Sequence, residues 1–248
     1  MEEDSGIIIR LAEPADVKYV YSILEEMEKS ARARGTGISK RTPQSLCRKI
    51  YEGKAIIAVQ RVTLQKDIVQ REGAQGESAQ GESAQGEGAQ GESVQGGVAQ
   101  GEVLKSEHEW VGFSYIESWS EGAFVSNSGL IVNPVFRKTG VATAIKARVF
   151  ELTRSRYPDA KIFSITTGAA VLRMNTRLGF EPVTYAEITR DKHFWDQCRS
   201  CVNYPILESR GRGMCLCTAM LFNPAVSHEN VVNGQSVRGS FQIGKIYN

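Results

Sequence analysis

Asn133-Pro134-Val135-Phe136-Arg137-Lys138-Thr139-Gly140-Val141-Ala142 follows an apolar run, Gly129-Leu130-Ile131-Val132, and opens a helical pattern. A strand, a basic turn with a glycine and a helix N-terminus in that order make a cradle for an anion. The N–H groups at the start of a helix point outward, and the helix dipole favours negative charge there. Gly140 lets the backbone come close to a phosphate, and Ala142 keeps the first helical turn slim. The plainer alternative is an ordinary strand-to-helix turn whose basic residues are solvated.

Working outward from the turn, Phe124 to Val132 reads as the strand that feeds it. Beyond it, Val141, Ile145, Val149 and Leu152 form one helical stripe, which leaves Lys146, Arg148 and Arg154 outside. Tyr157-Pro158 ends that helix, and Lys161 to Thr166 reads as a strand. Gly168 to Phe180 reads as a further helix, with Val171, Met174 and Leu178 inward. Upstream, Ile7 to Leu11 is a short apolar strand. Glu13-Pro14 starts a helix with Val17, Val20, Leu24 and Met27 at helical spacing. Thr42-Pro43 reads as an N-cap with proline at the first helical position, and Leu46 and Ile50 give that helix its inner face. Ala55 to Val59 and Trp110 to Trp119 are the remaining strands of this half. Antiparallel strands followed by a βαβα unit imply an α/β sheet with helices on its faces.

The chain has 248 residues, enough for one large domain or two small ones. Residues 73 to 102 repeat Ser-Ala-Gln-Gly-Glu in variants and carry almost no large apolar side chain. Such a stretch cannot bury enough surface to offset its ordering entropy. It is expected to be a flexible insert, 64–107, within a single domain spanning 1–223, and 224–248 is expected to be a polar tail. The net charge of +2 suggests neither nucleic acid nor a membrane as partner. The acidic start Met1-Glu2-Glu3-Asp4 is unlike a signal peptide. The five cysteines carry no mark of secretion, so reduced thiols in a cytoplasm are expected.

The spacing Arg137-x-x-Gly140-x-Ala142, followed by a helix that ends in Leu178-Gly179-Phe180, resembles the GNAT acyltransferases. The resemblance covers Ile7 to about Tyr185 without the insert. It implies a GNAT-like mixed, mainly antiparallel central sheet with helices on both faces, and acetyl-CoA or another acyl-CoA as co-substrate. It further implies that backbone groups of Leu130 and Val132 meet the pantetheine arm, and that Arg137, Lys138, Thr139, Gly140, Val141 and Ala142 hold the pyrophosphate. A backbone N–H at Leu130 or Ile131 would take the developing oxyanion charge. Ile38-Ser39-Lys40-Arg41-Thr42, Ile165-Thr166-Thr167, Leu178 to Val183 and Phe194-Trp195 to Ser200 are similar to the acetyltransferase domain of the N-acetylglutamate synthases. In them, arginines from two such places bind glutamate, which puts Arg41 and Arg199 forward as substrate clamps, with plain surface charges as the alternative.

The chain also departs from that pattern. Many GNAT enzymes carry a tyrosine four residues before the glycine of the Gly-Phe landmark, as proton donor to the leaving thiolate. Asn175 stands there, among the expected coenzyme contacts, and an amide cannot act as a general acid. The fourth strand has no carboxylate. Glu117 on the preceding strand and Glu121 in the turn can replace it by position, and either also reads as a solvated surface residue. The synthases usually carry an amino-acid-kinase domain that senses arginine; none is expected in these 248 residues, and that regulation is not carried over.

Cys198-x-x-Cys201 and Cys215-x-Cys217 are separated by a stretch long enough for a hairpin, so the four thiols could hold zinc. Buried or free thiols and a disulfide are the alternatives. His108, His193 and His228 lie far apart and form no triad.

These readings converge on an acyl-CoA-dependent N-acyltransferase that moves an acetyl or succinyl group to the α-amine of a small acidic amino acid, glutamate in arginine biosynthesis. A non-catalytic acyl-CoA-binding module, and a transferase acting on a protein N-terminus, a polyamine or an antibiotic amine, are the rivals. The expected partners are a small-molecule amino acid, no nucleic acid and no membrane; a homodimer is left open.

Overall fold

The computed structural model describes residues 6–33, 39–62 and 107–226. The insert read at 64–107, apart from the backbone of Glu107, and the tail beyond Val226 lie outside the described residues, as does Ile38. The chain divides into two units, 1–61 with 108–248, and 62–107.

The first unit is built on seven strands: β1 (Ile7–Leu11), β2 (Ala55–Val62), β3 (Glu107–Trp119), β4 (Phe124–Val132), β5 (Lys161–Thr166), β6 (Glu181–Val183) and β7 (Thr218–Phe222). They lie in the order β1-β2-β3-β4-β5-β7-β6. The pairs β1/β2, β3/β4, β5/β7 and β6/β7 are antiparallel, and β4/β5 is parallel. The helices are α1 (Val20–Ala33), α2 (Pro43–Tyr51), α3 (Val141–Arg156), α4 (Ala169–Arg177), α5 (Lys192–Gln197) and α6 (Tyr204–Ser209). No described helix is long and apolar enough to cross a membrane.

Local chemistry explains the element ends. The Thr42 hydroxyl accepts from the Ser45 N–H at 3.2 Å and caps α2, with Pro43 in the first turn. Pro14 opens a 3-10 turn, Pro14–Tyr19, before α1 begins, so that helix starts later than its apolar spacing suggests. Val20 and Met27 of the expected stripe are buried with Ile23, and Val17 and Leu24 pack partly buried against the same cluster. Alternation along each strand then sends side chains to two faces. On the first face, α1 and α2 pack on Ile57, Phe113, Tyr115 and Ile131, and Trp119, Phe163, Tyr185 and Trp195 form a second cluster under the C-terminal helices. On the second face, Val141, Ile145 and Val149 of α3 pack on Ile56, Val111, Val125 and Val132. Phe150 of α3 and Leu172 of α4 close over Ile162, Phe180 and Met220. Each fully buried Ile or Phe in these layers contributes about 1.5–3 kcal/mol.

Lys146 overturns one expectation. It is only 2% exposed and belongs to the buried face of α3. The helix is covered on two sides, by the sheet and by the α4–Phe180 region, so its buried stripe is wider than the apolar spacing alone implies.

Two features of β4 interrupt the regular sheet. Its partnership with β5 covers only Phe124–Ser126 against Lys161–Phe163. The strands part from Asn127 onward, and a seam opens between them. Against β3 the register moves by one residue, from Phe113↔Ile131 to Tyr115↔Ser128, so Gly129 and Leu130 together oppose Ser114. This bulge is possible because Gly129 sits at φ +68, and because a Cβ there would come 2.4 Å from the Tyr115 ring. Gly129→Ala is expected to cost about 1–3 kcal/mol of stability through that overlap. Urea unfolding checks it; a change below about 0.5 kcal/mol would show the Tyr115 contact to be slack.

Candidate functional site

The loop that joins β4 to α3 is folded by its own residues. Asn133 fixes its start, accepting from the Val135 N–H at 3.3 Å and donating to the Trp110 carbonyl at 3.2 Å. The Thr139 hydroxyl donates to the Phe136 carbonyl at 2.8 Å. Lys138 at φ +69 and Gly140 at φ +90 then turn the chain back into α3. Two successive residues near left-handed and right-handed geometry leave neighbouring N–H groups pointing the same way. Among the described residues, no acceptor meets the N–H groups of Lys138, Thr139, Gly140, Val141 or Ala142. The last two lack intrahelical partners because they begin the helix. A Cβ built on Gly140 would meet nothing within 4 Å, so the approach to these amides is open. The five donors at the head of a 16-residue helix fit a diphosphate.

Arg137 behaves differently from the loop's amides. Its guanidinium pairs with Glu26 of α1, and its Nε donates to the Val132 carbonyl at 3.3 Å. It therefore ties the loop to α1 and to the end of β4. Val132, expected to meet a pantetheine arm, has its carbonyl engaged by this arginine, and Ile131 is in register with Phe113 with its side chain in the core. Leu130, inside the bulge, is the one of the three that lies out of the regular ladder.

Asn175 lies in α4, fully buried. Its Nδ2 contacts the Met220 sulfur at 3.6 Å, and its Oδ1 has no partner among the described residues. Asn127, which faces α3, accepts from the Thr153 hydroxyl at 2.9 Å and keeps an unpartnered Nδ2. Both orphaned amides belong to the elements that border the open seam.

On the first face, two segments far apart in sequence meet. The Lys40 N–H donates to the Ser200 hydroxyl at 2.8 Å, which brings Arg41 and Arg199 to one corner. Arg41 donates to the Tyr115 hydroxyl at 2.7 Å and also bonds Ser39. Arg199 is more exposed and pairs with Asp196 at 3.1 Å. Tyr115 is the ring that rests over Gly129, so the Arg41 corner touches the bulge through one side chain. Sequence reading missed Tyr115 as part of the site; its only signal was its place on a strand beside β4.

Glu117 is placed on β3 but is not a free carboxylate. It is held by Lys49, itself 2% exposed, and lies 3.8 Å from Arg48. Its oxygen is therefore engaged by α2 rather than presented to the bulge. Glu121 sits in the exposed β3–β4 turn, away from this corner.

The four C-terminal cysteines are free thiols. Cys201 accepts from the Asn203 N–H at 3.4 Å and Cys215 contacts the Asn203 carbonyl at 3.9 Å, so both sit around one residue. Burial first, and the neighbouring thiols second, push Cys198 up to about 11 and Cys217 up to about 12. The expectation of zinc is corrected: among the described residues no three His, Cys, Asp or Glu side chains form a group that could hold a metal ion. Cys215 and Cys217 lie before β7 rather than on it, and Cys198 and Cys215 pack against the Trp119–Trp195 cluster as apolar groups. A hollow of about 450 Å³ lined by Phe124, Lys161, Glu187 and Arg190 lies at the paired end of β4 and β5, and shares no residue with the loop or the arginine corner.

No family model matches this sequence, and no curated protein matches it. Among solved structures, a Mycobacterium tuberculosis protein in complex with CoA and a second ligand is 14% identical, covers 87% of this chain and 98% of its own, with a TM-score of 0.47. N-acetylglutamate synthase from Neisseria gonorrhoeae, complexed with coenzyme A and N-acetyl-glutamate, is 12% identical over 88% of this chain, with a TM-score of 0.49. This chain spans 35% of that synthase's length. A phosphinothricin acetyltransferase from Sinorhizobium meliloti is 12% identical over 88% of each chain, with a TM-score of 0.46. At such identities and scores these are likenesses, and they assign neither a substrate nor an activity.

Lys146 gives a test of the site's internal electrostatics. Burial alone lowers its ammonium to about 7, against about 10.4 for an unfolded lysine. Between about pH 7 and pH 10 the unfolded chain holds a proton that the native chain lacks, so stability rises with pH across that window. Lys146→Met removes the effect. The variant is expected to melt higher than the parent, by more at pH 6 than at about pH 10. An equal shift at both would contradict the buried, unpaired lysine.

Proposed function

We propose that this chain is a GNAT-type, acyl-CoA-dependent N-acyltransferase whose acceptor is a small acidic amino acid, glutamate above others. The observation that carries the reading is the open β4–β5 seam capped by the unpartnered amides of Lys138 to Ala142. A thioester arm fits a seam with unsatisfied strand edges, and a diphosphate fits the turn above it.

Each part of the site has its own task. The loop amides hold the diphosphate, while Arg137 fixes the loop to α1 and β4. Leu130, released from the ladder by the Gly129 bulge, supplies an N–H for the charge that develops on the thioester oxygen. Arg41 and Arg199 approach from the α1–α2 face and take the carboxylates of the acceptor. The acceptor amine then lies beside the bulge, and orientation supplies much of the rate. A place in arginine biosynthesis and a cytoplasmic setting accord with glutamate as acceptor and with the free thiols.

The capture of Glu117 by Lys49, together with a β4 that has no carboxylate, favours a second reading, a module that binds acyl-CoA without turnover. Release of free CoA thiol separates the two. Turnover with glutamate above other amino acids is expected, with acetyl-CoA and succinyl-CoA compared as donors. Binding of CoA without thiol release on any amine would establish the module instead. For the clamps, Arg41→Ala and Arg199→Ala are each expected to raise the glutamate KM about 10- to 100-fold, in line with a lost charge-assisted pair, and to leave the CoA Kd unchanged. Unaltered KM values, or turnover confined to a polyamine or peptide, would remove glutamate and keep the transferase.

A further inference from the structure

Two lysines of this unit are almost fully buried, and they differ in one respect. Lys49 has Glu117 as its counter-charge. Lys146 has none among the described residues; its Nζ lies 5.6 Å from the centre of the Phe180 ring. An ammonium buried without a carboxylate destabilises the fold unless it loses its proton or serves a ligand.

The position of Lys146 is fixed by its neighbours. Ile145, the residue before it, lies against Gly112, where an added Cβ would come 2.5 Å from its terminal methyl. Gly112 is in register with Val132, so this turn of α3 stands at the level of the last residues of β4. Two turns further along, Thr153 meets Asn127, where β4 leaves β5. Counted back from Thr153 at Asn127, the seven helical residues to Lys146 cover about 10 Å, or about three strand residues, and the Ile145–Gly112 contact at the level of Val132 sets the other limit, so Lys146 stands between the levels of Leu130 and Val132. Ile145 packs toward β3 and β4, whereas Lys146 points to Phe180, beside Ile162 of β5 and Leu172 of α4. Lys146 thus stands at a level of β4 beyond the three pairs it makes with β5, on the β5 side of α3 and on the face opposite Arg41. Asn175, with its orphaned Oδ1, borders the same space from α4, and its backbone carbonyl accepts from the Phe180 N–H at 3.0 Å.

We propose that Lys146 is the proton donor to the sulfur that leaves during acyl transfer, acting from the α3–α4 side of the seam while the acceptor amine enters from the α1–α2 side. The inference rests on the acyltransferase reading of the same site. The acceptor nitrogen forms its bond to the thioester carbon, and the carbonyl pair moves onto oxygen. As the carbonyl re-forms, the C–S bond breaks and its electron pair stays on sulfur. Lys146 gives the sulfur a proton, and the product is a free thiol. The amine nitrogen, which carries a surplus proton after attack, returns one to Lys146 through solvent. The sum is amine plus thioester to amide plus thiol.

The electrostatics suit this direction of transfer. Burial lowers the Lys146 ammonium to about 7, below the roughly 8.5 of an ordinary thiol, so the proton moves downhill. No charged group on the surrounding elements offsets that burial: Arg148 and Glu151 of α3, Lys161 of β5, and Arg173 and Arg177 of α4 contribute nothing to its shift, and β4 offers only the neutral Asn127.

Lys146→Met, which keeps the length and loses the proton, is the test. The expected result is a fall in kcat of about 100-fold, the scale of general acid catalysis, with the CoA Kd within about threefold of the parent. The descending alkaline limb of kcat near pH 7 in the parent should vanish in the variant. A second readout needs no turnover: in lysine-labelled protein, the Nζ-adjacent carbon signal that the variant lacks should titrate near neutrality. An unchanged kcat, or a Lys146 signal that titrates only near pH 10, would overturn the proposal. The acyltransferase reading fails separately, if the unaltered protein neither binds CoA nor turns over. Should Lys146→Met not fold, the parent's titration and pH profile still decide.

Discussion

The structure depends on one shortened partnership. β4 and β5 are hydrogen-bonded over three residue pairs and then separate. A parallel pair normally continues for the length of its strands, because each unmade bond leaves a donor and an acceptor to be satisfied elsewhere. Here the divergence is held from both sides. The Gly129 bulge increases the local twist of β4 against β3, with Tyr115 filling the space a side chain would occupy. On the far side, β5 pairs with β7 from Ile162 to Thr166, through five residue pairs. A sheet built this way has an internal edge, and an internal edge is a place for an extended ligand.

Polar groups gather along that edge. The loop amides stand over its open end, and Arg137 anchors the loop to α1. The Arg41–Tyr115 contact reaches the bulge from one face. Lys146, Asn127 and Asn175 lie on the other face, the two asparagines each with an amide atom that has no partner among the described residues, and Lys146 with its amine 5.6 Å from the Phe180 ring centre. Unsatisfied buried groups reduce stability, and native folds carry few of them. Of the three such side-chain atoms among the described residues, two, on Asn127 and Asn175, lie on β4 and α4, and the third is on Asp196 of α5.

Much of this was legible in the sequence, and for identifiable reasons. The Asn133–Ala142 turn announces itself because a glycine between a β-branched run and a helical stripe has few other uses. Thr42-Pro43 marks the start of α2 as a cap followed by proline must. Arg41 and Arg199 could be paired only through resemblance, since nothing local links residues whose contact is made by Lys40 and Ser200 across the fold. The apolar stripe puts Lys146 outside because such a stripe assumes a helix covered on one side, whereas α3 is covered on two. The cysteine spacing suggested metal, but spacing cannot show that Cys215 and Cys217 precede their strand and that the thiols pack among aromatic rings. The seam could be expected only through the resemblance that puts a ligand against Leu130 and Val132, because where two strands stop pairing is a property of the sheet and of no single segment.

The central claim is that main-chain amides between Lys138 and Ala142 receive a coenzyme's diphosphate. It is tested most directly by titrating coenzyme A into nitrogen-15-labelled protein and following each amide. The account predicts saturable shifts at residues 138 to 142, with smaller ones at Leu130 and at Asn175 and its neighbours. Shifts confined to the hollow lined by Lys161 and Arg190, or none at all, would contradict it.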